Sequence, residues 1–174
     1  DKSSVWYKDQ HYVWIRNCFR LFGCDSIYSG SSGMLMRADV SITKPFIAGI
    51  KAKSPTENRG SVTSKAIRQA NHAKLQLSAL HKKEKEPSVA IAIGRRITPQ
   101  AINEEKNVFR PNNQPVLIIS DRALFYLSLK LPFLNLSAKE ITTLFTENEG
   151  HLTSTNLLSF FEGMTKIGHL QDKE

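Results

Sequence analysis

Asp39, Lys51 and Lys53 are the residues of this chain whose types and spacing suit chemistry on a phosphodiester. Asp39 falls within an apolar segment over residues 35–42, and Lys51 and Lys53 lie at the end of a second one that begins at Phe46. Lys44-Pro45 stands between the two. Proline fixes φ and has no N–H to donate, so Pro45 predicts the turn between two strands. Side chains alternate along a strand, which sends Lys51 and Lys53 to one face and Ile50 and Ala52 to the other. A hairpin of this kind brings Asp39 near both lysines. An acid on one strand and a lysine pair at the end of the next is a common way to build a metal-dependent phosphodiesterase.

The elements around this hairpin must position it. Residues 5–22 carry Val5, Trp6, Tyr12, Val13, Ile15, Phe19 and Leu21-Phe22, a broad helical stripe, with Ser3 or Ser4 to cap its start and Gly23 to end it. A short strand is predicted at 26–28 and a flexible loop at 30–33. After the hairpin and a polar loop at 55–60, residues 61–81 read as a second helix. Ala66, Ile67, Ala70, Ala73, Leu77 and Leu80 form its buried stripe, and Ser61 or Thr63 its cap. SVAIAIG at 88–94 and PVLIIS at 115–120 are continuous apolar runs, the pattern of strands covered on both faces. Between them a short helix at 99–105 and then a loop are expected. Asp121 is expected to cap a helix that ends near Pro132, and two helices follow at 138–146 and 153–164. The fold class is therefore α/β, a mixed central sheet flanked by helices.

Composition agrees with a globular chain. Its 174 residues are 40% hydrophobic and 9% aromatic, enough for one domain with a proper core. We expect a core over about 1–130 and a helical extension over about 137–165. No apolar run reaches the ~18 residues of a membrane span. The polar start, Asp1 to Ser4 without an initiator Met, suggests no leader and a domain cut from a longer chain. Cys18 and Cys24 are expected as reduced thiols of a cytoplasmic protein. The net charge of +8 is uneven: residues 44–110 hold 14 Lys and Arg against 5 Glu and no Asp, while 137–174 hold 3 Lys against 6 acids. A basic middle suits a polyanion-binding face, and equally a solvated basic surface. Lys65, Arg68, Arg95 and Arg96 are the candidate phosphate contacts, which add salt-dependent affinity without reading sequence.

On residues 39–53 the chain resembles the PD-(D/E)xK nuclease superfamily. Asp39 matches the first acid of that pattern, with Ala38 where proline often stands, and Lys53 matches its lysine. GIKAKSP, followed by a loop and a basic helix bearing Gln69, is similar to cleavage domains of type II restriction endonucleases, type IIS enzymes included. The chain also resembles archaeal Holliday-junction resolvases, which place a further carboxylate on the first helix; Asp9 is the candidate here. The resemblance spans about residues 1–130. It implies a magnesium-dependent endonuclease acting on double-stranded DNA in a restriction-modification setting, working as a homodimer or with a separate recognition domain or subunit. It further implies that Asp39, with Asp9 available, and the residue at position 51 hold Mg2+. Lys53 then orients the attacking water and stabilises the phosphate, and Gln69 either hydrogen-bonds near the site or faces solvent.

Position 51 departs from the pattern. An acid belongs there and the chain has Lys51, whose ammonium would repel magnesium and pair with Asp39 instead. No acid occurs from Asn58 to Lys83, so the nearest replacement is Glu57. Three origins fit: an inactivated variant of a toxic nuclease, an unusual site using Asp39 with Asp9 or Glu57, and a natural DNA- or RNA-binding module without catalysis. The first accords best with the surrounding pattern. Other chemistries find no support. The five histidines show no zinc spacing, the two cysteines make no CxxC, and no P-loop, GxGxxG or Ser-His-Asp arrangement is present.

Overall fold

The structure, a computed structural model, describes residues 2–29, 38–81, 87–147 and 150–153, with the side chains of residues 2–6 left aside. The order is α1 (Lys2–Leu21), β1 (Asp25–Tyr28), β2 (Val40–Lys44), β3 (Ile47–Lys53), β4 (Ser61–Val62), α2 (Ser64–Leu80), β5 (Ser88–Gly94), β6 (Arg96–Ile97), α3 (Pro99–Glu104), β7 (Val116–Ser120), α4 (Asp121–Lys130), α5 (Ala138–Thr146) and β8 (His151–Leu152). Six strands form one mixed sheet in the order β1-β2-β3-β5-β7-β8, and β4 pairs with β6 apart from it. β1, β2 and β3 run antiparallel, whereas β3, β5, β7 and β8 run parallel. The C-terminal ends of β3, β5, β7 and β8 therefore lie on one edge.

Both faces of the sheet are covered, as its unbroken apolar strands require. Ile50, Ala52, Ile91, Ile93, Leu117 and Ile119 pack against Tyr12, Ile15 and Phe19 of α1 and Leu124 and Leu127 of α4. Ala90, Ala92, Val116 and Ile118 meet Ala66, Ile67 and Ala70 of α2 and Ala101 of α3. The small residues on the second face let α2 approach the sheet closely. Gly49 is the tightest point, since an added Cβ would lie 2.5 Å from the backbone nitrogen of Lys74 and 2.7 Å from the carbonyl carbon of Ala73. Those are main-chain atoms of a helix and cannot swing aside. Gly49→Ala is expected to destabilise the fold by about 1–3 kcal/mol, read as a fall in the urea midpoint with an unchanged slope. An unaltered midpoint would mean that α2 sits further from β3 than described.

The expected sheet is present, with differences that have local causes. The first hairpin strand runs Val40–Lys44 rather than 35–42, so Asp39 immediately precedes it; residues 35–37 and the loop at 30–33 lie outside the described residues. Ser120, not Asp121, caps α4: its hydroxyl accepts from the Ala123 N–H at 3.1 Å, and Asp121 is the first helical residue. Thr63 holds the cap position of α2, but its side chain makes no capping bond. Leu21 and Leu80, which periodicity places in buried stripes, are exposed at helix ends. The helix expected at 99–105 ends at Glu104 and continues as a π-turn over Glu105–Phe109, where the sequence predicts a loop. Buried Glu105 anchors that turn through two bonds from Arg110, at 2.7 and 3.2 Å. α5 forms as expected and opens on a capping box between Ser137 and Glu140. The extension then adds β8 to the sheet beside β7, and the helix expected at 153–164 falls outside the described residues apart from Thr153. No helix among the described residues is long and apolar enough to cross a membrane.

Candidate active site

The β2–β3 hairpin brings Asp39, Lys51 and Lys53 together. Asp39 is held by its own backbone, its N–H donating to the Ile50 carbonyl at 2.9 Å. Its side chain is 6% exposed, and both carboxylate oxygens are engaged. Lys51 Nζ donates to Oδ1 at 2.7 Å and the Ala52 N–H donates to Oδ2 at 2.8 Å. Burial raises the Asp39 carboxyl above its ordinary value, while Lys51 and the Ala52 N–H act in the opposite direction. Lys51 and Lys53 share a face of β3, opposite buried Ile50 and Ala52. Lys53 is half-buried, and desolvation lowers its amino group, with the Glu57 carboxylate working against that. Among the described residues its Nζ has no hydrogen-bond partner.

Glu57 completes the cluster from the loop after β3. Tyr12 of α1 donates its hydroxyl to Glu57 Oε2 at 2.6 Å, and Lys8 Nζ lies 3.1 Å from Oε1. Lys8 and Tyr12 are one helical turn apart, so α1 presents both to one carboxylate. Desolvation acts to raise Glu57, but the Tyr12 hydroxyl, Lys8 and Lys53 outweigh it and hold the group below its ordinary value. Tyr12 is almost wholly buried, and burial with the charge of Asp39 and its bond to Glu57 keeps its phenol protonated. Asp9 stands beside this group, accepting from the Tyr28 hydroxyl at 2.6 Å. Burial, aided by Asp9, pushes the Tyr28 phenol up to about 12. Tyr12 thus holds Glu57 and Tyr28 holds Asp9, while Asp39 is held by Lys51 and the Ala52 N–H.

No bond among the described residues ties the other expected site residues to this cluster. Gln69 is half-buried on α2 with its Oε1 unpartnered, and no hydrogen bond among the described residues ties it to Asp39. Lys65 and Arg68 are exposed on the same helix, and Arg68 is paired with Glu104 of α3. Arg95 and Arg96 are exposed just past β5. Sequence reasoning misses Lys8, Tyr12 and Tyr28. The only signal is the Lys8/Tyr12 spacing on a helix whose aromatics otherwise read as core.

A hard divalent cation binds through carboxylate oxygens free to turn toward it. Here both Asp39 oxygens are committed, and an ammonium group stands against one of them. Among the described residues, no three His, Cys, Asp or Glu side chains gather into a metal site. As the residues stand, they do not fit magnesium.

The solved structure of the restriction endonuclease FokI bound to DNA superposes on this chain with a TM-score of 0.54. The fold is restriction-endonuclease-like. Sequence identity is 11%, and the match covers 81% of this chain and 27% of the FokI chain. At that identity the likeness speaks for the fold alone. No family model and no curated protein matches the sequence.

Arginine pairing separates one edge of this fold from the rest. Arg16, Arg20, Arg68 and Arg110 each bond to a side chain or carbonyl of the protein. Arg59, Arg95, Arg96 and Arg122 have no partner among the described residues. Arg59 follows β3, Arg95 and Arg96 follow β5, and Arg122 follows β7. The unpaired guanidinium groups thus gather at the edge where the parallel strands end, beside Lys53.

Proposed function

We propose that this chain is a DNA-acting domain of the endonuclease type, with Lys51 standing where a metal ligand would be and holding the catalytic centre silent. The observation that supports this best is the placement of Asp39, Lys51 and Lys53 at the β2–β3 end of a restriction-endonuclease-like sheet. A free, partly desolvated Lys53 beside two carboxylates suits contact with a phosphodiester. The unpaired arginines at the same edge suit a backbone of phosphates. In a form carrying an acid at position 51, Asp39 and that acid would hold Mg2+, with Glu57 and Asp9 close by. The FokI structure was solved with DNA, and double-stranded DNA is the partner we propose here. The chain spans about a quarter of FokI, so we place target recognition in another domain or subunit and two-strand cleavage in a homodimer.

Binding to duplex DNA is expected to weaken steeply with salt, log affinity falling linearly with log salt as phosphate contacts are lost. Magnesium-dependent cleavage is expected to be at background. Fluorescence anisotropy with a labelled duplex across a salt series tests the first, and plasmid nicking tests the second. Affinity that ignores salt would refute the reading.

The Lys51–Asp39 ion pair also favours a second reading, a nucleic-acid-binding module without catalysis. The two readings part on the Lys51→Glu variant: cleavage marks the first, and binding without cleavage marks the second.

A further inference from the structure

The edge at which the parallel strands end holds a cleft of about 580 Å³, lined by Pro55, Arg95, Ile97, Asp121, Arg122 and the cap residue Ser120, among others. Ligands of open α/β sheets settle outside the carboxyl ends of parallel strands, and the volume lies within the range of small-molecule sites. We propose that this cleft is a nucleotide subsite, holding one phosphate with its sugar and base from the strand that passes the Asp39–Lys53 centre. The proposal rests on the DNA-acting reading above and gives that reading a second anchor.

The lining divides into a phosphate end and a nucleoside end. Arg95 and Arg122 are exposed and unpaired among the described residues, and a guanidinium fork matches phosphate oxygens. Arg95 directly follows β5, and Arg122 lies two residues past β7 in the first turn of the ten-residue α4, whose N-terminal dipole also favours an anion. Gly60 fixes the Arg95 side. With φ +69 it sits where a Cβ would lie 2.9 Å from the Arg95 Cβ, so the loop after β3 closes tightly on this arginine. Asp121 gives the cleft a contrary charge. Its side chain is 20% exposed, and its Oδ2 lies 3.3 Å from Nε2 of His11. A carboxylate beside two guanidinium groups disfavours a bare anion and suits a ligand that also brings donors, such as a sugar hydroxyl or a base amine. Ile97 and Pro55 supply the apolar wall. Pro55 belongs to the loop that carries Glu57 and follows Lys53 by two residues, so one strand can touch the cleft and the ionic cluster together.

Two titrations of the full chain test this. Calorimetry with deoxynucleoside 5′-monophosphates, the matching nucleosides and inorganic phosphate reads the cleft directly. The monophosphates are expected to bind more tightly than either part. Equal binding by phosphate alone would leave a plain anion site and overturn the proposal. Anisotropy with a labelled duplex reads the strand. The double variant Arg95→Gln/Arg122→Gln is expected to lose about tenfold in affinity and about one unit of salt slope, as for one phosphate contact. Arg122→Lys alone is expected to lose affinity while keeping the slope, because charge is retained and the fork is not. Matching thermal melts establish that each variant is folded. If the double variant binds duplex like the parent, the subsite is wrong and the DNA-acting reading stands. If monophosphates bind and no duplex does, the cleft is a free-nucleotide site and both fail.

Discussion

Lys51→Glu is expected to turn a protein with background nuclease activity into one that cuts duplex DNA in magnesium, at about a hundredfold or more over the parent. In the parent, the 2.7 Å bond from Lys51 Nζ fills one side of Asp39 with positive charge. The exchange removes that ammonium and places a second carboxylate on the same strand position, a net change of two charges in favour of a divalent ion. Nothing else needs to move. The Ala52 N–H still orients Asp39, and Lys53 stays on the same face of β3. Adding Asp39→Ala or Lys53→Ala to the variant should abolish cleavage again without unfolding the protein, and calcium in place of magnesium should support binding but no cutting. A Lys51→Glu protein that neither cuts nor binds magnesium by calorimetry would end the endonuclease reading and leave the binding module.

Much of this site is legible in the amino-acid sequence because it rests on local rules. Alternation along residues 47–53 sets the two lysines against Ile50 and Ala52, and proline between two apolar runs sets the hairpin. SVAIAIG and PVLIIS read as doubly covered strands because no polar residue interrupts their apolar runs. What escapes depends on contacts distant in sequence. Tyr12 is 45 residues from Glu57, and its ring belongs to the core while only its hydroxyl belongs to the site, so helical periodicity records it as packing. β4, β6 and β8 are two residues each, too short for any period to show; β4 and β6 pair with each other, and β8 adds to β7. Asp121 looks like a helix cap by type, but Ser120 takes that place, and Asp121 turns instead to His11 on a helix far away in sequence. Composition does not tell unpaired arginines from paired ones either. Arg68 and Arg95 look alike in the sequence, and only the fold gives one of them a glutamate.

Lys51→Met is expected to destabilise the protein by about 3–5 kcal/mol at neutral pH, the usual cost of stripping one partner from a buried ion pair. Asp39 is nearly inaccessible and the Lys51 side chain is only 17% exposed, so solvent screens the pair little. The loss should depend on pH in a definite sense. Burial already holds the folded-state value of Asp39 above the ordinary 3.8. A raised carboxyl keeps its proton in the folded state after the unfolded chain has released it, so stability falls as pH rises through that window. In the parent, Lys51 limits the rise. Without the ammonium, the folded value climbs further and the window extends upward. The gap between parent and variant should therefore be widest at neutral pH and shrink as the solution is acidified toward the ordinary carboxyl value, where Asp39 goes neutral in both states. Urea midpoints at several pH values between about 8 and 4 measure this. Lys51→Met combined with Asp39→Asn should recover most of the loss and most of the pH dependence, because the amide oxygen still accepts from the Ala52 N–H and no charge is left unpaired. A gap that stays constant with pH, or a double variant no more stable than Lys51→Met, would show that Lys51 stabilises this hairpin by packing rather than by charge.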